Sequence, residues 1–374
     1  MKSLPFAGPI PPVHQRVSVF RIFLLVLLLY SLPIVLYAQS SEALSIGTLK
    51  AVPGEIVSGN LVVDSGVDQG TTIPVSIICG TKPGPVLTLL AGLHGTEYVP
   101  IIALQRLKSL VQPNELSGTL VLIHVANTLS FKEKMVYNNP VDHKNMNRSF
   151  PGKKEGTLTE RMTYTITSEV LPKSDYYIDL HGGEFNERII DYLYFYYNCP
   201  DPEMDKKSYE LAHAMSNKYL FPFDYTWIAD TAASEFSDFE ALRQGASAIT
   251  LEWGDRGIVT AEELEVATSD LLNVMRKTGM LEGEAYTNEH PVYLENEQAM
   301  TCNYDGIFYP LTDRGQYVIK GTKFGYTTDY WGKVVEEYFT PISGIVIVTI
   351  ATPAIKKGQV VGRVAEVRET FERK

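Results

Sequence analysis

Short runs of aliphatic, β-branched and aromatic residues alternate with stretches of helical period through much of the chain. Residues 86–91 (VLTLLA), 119–126 (TLVLIHVA), 176–180 (YYIDL), 190–197 (IDYLYFYY) and 248–252 (AITLE) predict strands. Residues 98–110, 158–171, 202–219 and 261–280 predict helices. In the last of these Leu264, Val266, Leu271, Leu272 and Val274 fall near helical spacing, with Glu262, Glu263 and Asp270 elsewhere on the surface. Strands alternating with helices imply an α/β core with a largely parallel or mixed sheet.

After about residue 286 the texture changes. Short β-type segments are separated by Gly306, Gly315, Gly321, Gly325, Gly332, Gly344, Gly358 and Gly362, and no helical pattern interrupts them. This predicts an all-β module over 286–374, packed on or near the α/β core of 39–285. Residues 39–84 are also β-rich and are expected to add edge strands.

At 374 residues, 45% hydrophobic and 21% charged, the chain is long enough for one large core or two domains. The uncharged apolar run at 22–38 follows Arg16 and Arg21 and ends at the small Ala38. It reads as an export signal over 1–38, which implies a periplasmic or secreted protein; an uncleaved membrane anchor is the alternative. Pro33 and Ser31 within the run, and its marginal length, favour cleavage. Losing 1–38 removes Lys2, Arg16 and Arg21 and no acid, which takes the formal charge from −11 to −14. So acidic a chain is not expected to bind nucleic acid, which needs a basic surface. Cys79, Cys199 and Cys302 are widely spaced, without the pairing of a disulfide framework or a thiolate zinc site.

The candidate chemistry lies at strand ends, where open α/β sheets bind their ligands. Gly92-Leu93-His94-Gly95-Thr96-Glu97 joins the run ending at Ala91 to the helix beginning near Tyr98, and brings His94 and Glu97 to one side of a turn. An isolated HxxE is common by chance. The segment Tyr177-Ile178-Asp179-Leu180-His181-Gly182-Gly183 then places a second histidine at a strand end, before two glycines that permit a sharp turn. Two histidines and one carboxylate make the open three-ligand set of hydrolytic zinc sites, with a fourth position for water. Asp179 shares the strand face of His181, as a carboxylate orienting that ligand or as a hydrogen-bonding core residue. Glu252 ends an apolar strand, where desolvation raises a carboxyl pKa into the range useful for proton transfer; Asp255, on the following loop, is the weaker candidate. Asn147 and Arg148, in Asn145-Met146-Asn147-Arg148-Ser149-Phe150-Pro151-Gly152, can grip a carboxylate through a guanidinium fork or simply tie down a loop. The sequon Asn147-Arg148-Ser149 is too short a pattern to carry weight.

In that order along the chain, GLHGTE, NMNRSFPG, IDLHGG and LEWG resemble the aspartoacylase/succinylglutamate desuccinylase family, relatives of the zinc carboxypeptidases. The resemblance covers roughly residues 85–365. It implies a zinc-carboxypeptidase-like mixed sheet flanked by helices, with a C-terminal β-domain partly covering the site. It also implies one Zn2+ on His94, Glu97 and His181, a substrate carboxylate on Asn147 and Arg148, and Glu252 as general base. The glycine-punctuated end has a lipoyl-like cadence, but no lysine in a convincing attachment hairpin. One departure stands out: the arginine that family members often carry shortly before Asn-Pro-x-Asp is missing from Met135-Val136-Tyr137-Asn138-Asn139-Pro140-Val141-Asp142. Lys132, Lys134 and Tyr137 are candidate replacements for polarising the scissile carbonyl; otherwise the zinc and Arg256 suffice. His124 and His143 read as structural or surface residues.

The expected activity is zinc-dependent cleavage of an amide in an N-acyl amino acid or similar small carboxylate. An exported carboxypeptidase acting on peptides or cell-wall peptides is the rival within hydrolases. A secreted binding protein that keeps the site without turnover is the rival from another class. A homo-oligomer stays open.

Overall fold

The computed structural model describes Gly8 and residues 42–229 and 233–372. The run at 22–38, and with it the expected export signal, lies outside the described residues. The five predicted strands form as Ser117–Ile123, Lys82–Ala91, Tyr176–His181, Ser247–Glu252 and Tyr192–Tyr197, side by side in that order in a 13-stranded sheet. The first four run parallel and the fifth antiparallel to its neighbour. Thr71–Cys79 and Ile56–Val63 extend one side as antiparallel edge strands, as the β-rich N-terminal stretch predicts.

Alternation along each strand sends side chains to two cores. Leu87, Leu89, Ile178, Leu180, Ile249 and Leu251 pack with Leu104, Leu107, Leu211, Leu271 and Val274 from the helices Tyr98–Leu110, Pro202–His213 and Ala261–Lys277. Leu90, Tyr177 and Ala248 pack on the other face with Met162, Ile166 and Leu242 from Leu158–Glu169 and Ser237–Arg243. The helices Leu158–Glu169 and Ala261–Lys277 start at capping boxes, Thr157 with Glu160 and Thr260 with Glu263.

The structure revises the helix expected over 202–219. It stops at His213, and Tyr219–Asp224 is a strand parallel to Tyr192–Tyr197. The aromatic Tyr-Leu-Phe-Pro-Phe run suits a pleated surface better than a helix, and Pro222 would remove a helical hydrogen bond.

After Lys277 the described residues form strands and no helix. Val292–Thr301 pairs parallel with Tyr219–Asp224, and Val360–Arg368 and Gly344–Ile350 follow it antiparallel, so the C-terminal stretch lengthens the central sheet. Gly306–Pro310, Lys323–Thr328, Val334–Phe339 and Ala354–Ile355 build a four-stranded sheet around Phe308, Phe324 and Tyr338. Glu187–Ile189, just beyond the IDLHGG motif, pairs with Gly344–Ile350 and ties the site to this C-terminal part.

Candidate active site

Register brings the motif-bearing strand ends level. Ala91 lies beside Leu180, and His181 lies beside Glu252. Beyond Ala91 the chain turns at Gly92, whose φ of +73° strains any side chain and where an added Cβ would lie a tight 3.1 Å from Val125 Cα. Gly182 answers a different need from the turn expected of it. Its backbone is unstrained, but a Cβ there would sit 1.9 Å from the Trp253 carbonyl oxygen, so it permits the close approach of two strand ends.

His94, Glu97 and His181 meet in a buried cluster. Glu97 occupies the N-cap position of Tyr98–Leu110 yet makes no side-chain cap bond. Its carboxylate turns to the imidazoles instead, with Oε1 2.7 Å from His94 Nδ1 and Oε2 2.9 Å from His181 Nδ1. Burial works against a charge on Glu97, but the two imidazoles outweigh it and hold the carboxyl at about 2. The outer ring nitrogens are anchored. His94 Nε2 lies 3.2 Å from Asn145 Oδ1, and His181 Nε2 lies 3.1 Å from Asp179 Oδ2. Both Nδ1 atoms face the Glu97 carboxylate, and the outer contacts fix the orientation of the rings, as around metal-ligating histidines.

The donor set therefore fits a metal. Two imidazole nitrogens and a carboxylate oxygen lie within 4.8 Å of one another, and this N₂O chemistry suits Zn2+. The electrostatics agree: burial lowers the His181 pKa, but Asp179 and Glu97 raise it well above that of an ordinary imidazole, so the cluster favours a positive charge.

The other motif residues gather around this cluster. Asn147 is buried, with Oδ1 accepting from Ser237 N–H at 3.1 Å and Nδ2 3.0 Å from His181 Nε2. Ser237 Oγ donates to Asp179 at 2.6 Å, which closes a small network under the second histidine. Arg148 lays its guanidinium 4.2 Å over the Phe236 ring and donates to the Asn147 carbonyl. Burial pushes the Glu252 carboxyl pKa well up; nearby Glu97 and Glu187 raise it further, against the lowering influence of His181.

His94, Glu97, Asn147, Arg148, His181 and Glu252 line a cavity of about 640 Å³. Tyr137 reaches it with its ring edge-on to His94, 5.1 Å between centroids, but its hydroxyl donates to Glu187 at 2.9 Å. Lys132, Lys134 and Arg256 are not among the lining residues. Asp255 is held by Arg256 and Arg314 at 2.9 and 3.2 Å, as part of the loop scaffold. His143 is exposed, and His124 bonds Ser76 at 2.8 Å away from the cavity.

Several lining groups escape the sequence motifs. Glu184 lies on the loop after His181 and Glu187 opens the short strand beyond it; the strand-end argument, carried three to six residues further, reaches them. Burial first, and then Glu187 and Glu97, push Glu184 up to about 7. Asp238, buried beneath the aromatic wall, is pushed up to about 6 by burial and by Asp179. Arg363 comes from the distant C-terminal strand and carries no local signal.

Residues 83–278 match the succinylglutamate desuccinylase/aspartoacylase catalytic domain. N-alpha-acetyl-L-2,4-diaminobutyric acid deacetylase of Halomonas elongata is 28% identical over 308 residues, 80% of this chain and 87% of that protein. The product-bound ectoine utilization protein EutE (DoeB) of Ruegeria pomeroyi superposes with a TM-score of 0.75 at 23% identity, over 88% of this chain and 100% of that one. A succinylglutamate desuccinylase from Silicibacter sp. TM1040 gives 0.74 at 23% identity, over 84% and 95%. These two structural likenesses speak for the fold.

Proposed function

Since the chain belongs to the succinylglutamate desuccinylase/aspartoacylase family, we propose that it is a zinc-dependent deacylase of small N-acyl amino acids, with an N-acetylated diamino acid as its first candidate substrate. The observation that carries this reading is the buried convergence of His94, Glu97 and His181 beside Glu252 on the next strand. His94, Glu97 and His181 would hold the metal, with Asp179 and Asn145 fixing the two rings. When bound, zinc supplies a Lewis acid that activates water and polarises a carbonyl.

The remaining work falls to the chain itself. Glu252, beside His181 on the next strand, takes a proton from the attacking water and returns it to the departing amine nitrogen. Arg148, held flat on Phe236, offers its remaining N–H donors to a substrate carboxylate, and Asn147 keeps that loop against His181. Tyr137 keeps its proton, because burial and the carboxylates of Glu187 and Glu184 raise its pKa. The cavity volume suits a small molecule. Export through the segment at 22–38 is part of the proposal.

The test is a screen of the zinc-loaded protein against N-acetyl-L-2,4-diaminobutyrate, other N-acyl amino acids and C-terminal peptides. Release of the acyl group from an N-acyl amino acid, lost on chelation and restored by zinc, is the expected result. Cleavage confined to peptides would replace this reading with the carboxypeptidase one, and a zinc-loaded protein inert to every amide would overturn it.

A further inference from the structure

The C-terminal strands do more than extend the sheet. Val348, Ile350, Gln359, Val360 and Arg363 all face the cavity that holds the His-Glu-His cluster. Only Arg363 among them carries charge. Its backbone lies in Val360–Arg368, which pairs with both Val292–Thr301 and Gly344–Ile350, so a rigid three-strand element positions the side chain. Glu297, on the first of these neighbours, forms an ion pair with one of its terminal nitrogens, and Tyr194 Oη lies 3.4 Å from the same carboxylate. Although burial disfavours the charge, Glu297 keeps the guanidinium protonated.

A guanidinium carries five N–H donors in a planar fork, and one ion pair leaves most of them unused. Arg148 lines the same cavity; burial does most to lower its pKa, Glu235 and Asp238 oppose this, and repulsion from Arg363 adds a smaller lowering. Two guanidinium groups facing one partly enclosed cavity form a pair that an anion between them would relieve. Arg148 comes from the Asn-Arg loop and Arg363 from the C-terminal strand, so the pair closes only when both halves of the chain have folded.

We propose that Arg363 is a substrate-binding residue that shares the substrate carboxylate with Arg148, making the C-terminal strand part of the recognition site. Glu297 is its positioning residue. This rests on the deacylase reading only for the choice of substrate.

The experiment compares an N-acetyl amino acid with its carboxamide twin, identical except that the carboxylate is neutral. Turnover and calorimetric binding are measured on the zinc-loaded full chain and on Arg363→Gln, Arg363→Lys and Glu297→Gln, with zinc content and melting temperature recorded for each. A charge-assisted bond to the carboxylate predicts that Arg363→Gln raises KM and Kd for the acid by about tenfold or more while leaving kcat and the carboxamide little changed. Arg363→Lys should recover part of the loss, and Glu297→Gln should show a smaller version of it. Equal loss on acid and carboxamide, or no loss on either, would overturn the proposal and leave Arg363 as a partner of Glu297 in the sheet. So would a wild-type chain that binds the two ligands equally or binds neither. Should the wild type bind the acid but hydrolyse nothing, the deacylase reading fails while the calorimetry still decides the role of Arg363.

Discussion

At the scale of single residues, the site is built by withholding side chains from their ordinary duties. Glu97 stands where a helix would take a cap, and its carboxylate serves two imidazoles instead. The helix N-terminus, left without a side-chain cap, favours that negative charge. Glu252 ends a strand whose other residues are buried, and desolvation raises its pKa, which a solvated strand terminus would not do. It makes no hydrogen bond to His94, Glu97 or His181 in the structure, so its loss should leave the metal in place. Glu252→Gln is expected to keep full zinc content by elemental analysis and to lower kcat by about 100- to 10,000-fold. Retained turnover would remove Glu252 from the chemistry, and lost zinc would make it part of the metal site.

At the scale of elements, the candidate site depends on strand ends meeting without side chains between them. Gly182 backs onto the Trp253 carbonyl, and Gly183 lies close to Gly254 and Asp255. Gly182→Ala should therefore force apart the strands that carry His181 and Glu252. Activity is expected to fall at least tenfold, with a clearly lower melting temperature; a variant with wild-type values would show that the approach is not needed. Much of this layer is legible in the sequence, because local period and strand-end chemistry do not depend on distant partners. The helix Tyr98–Leu110 begins and ends where its pattern places it, and His94, Glu97, His181 and Glu252 lie together at one sheet edge. What local pattern misses is set by non-local pairing. The Tyr219–Asp224 strand forms because the edge of Tyr192–Tyr197 offers it a partner, and the constraint on Gly182 comes from a residue 71 positions away. Arg363 is the extreme case: its sequence neighbourhood reads only as strand, and its significance comes from the cavity it faces.

At the scale of the whole molecule, two groups outside the His-Glu-His cluster contribute to the response to acid in separate windows. His124 hydrogen-bonds Ser76 on the flank of the sheet, and burial first, with Lys108 second, lowers its pKa to about 4. The folded chain keeps it neutral while the unfolded chain takes up a proton below about pH 6.5. Its stabilising effect is therefore complete above that pH and drains away as the pH falls toward 4. Glu160 acts in a lower window. It closes the capping box with Thr157, whose backbone N–H does most to lower the carboxyl pKa to about 2, with Lys144 adding to it. That contribution is present above about pH 4.5 and is lost as the pH falls toward 2. Glu184 and Asp238, with raised carboxyl pKa values, act in the opposite sense as the pH falls from about 7 to 4, so the two losses appear as two stages in the difference between each variant and the wild type. His124→Asn should flatten the first stage and leave the second, whereas Glu160→Gln should do the reverse. Melting curves of the three proteins between pH 8 and pH 3 check this, and a wild-type profile unchanged by His124→Asn between pH 6.5 and pH 4 would show that the neutral imidazole does not govern the upper window.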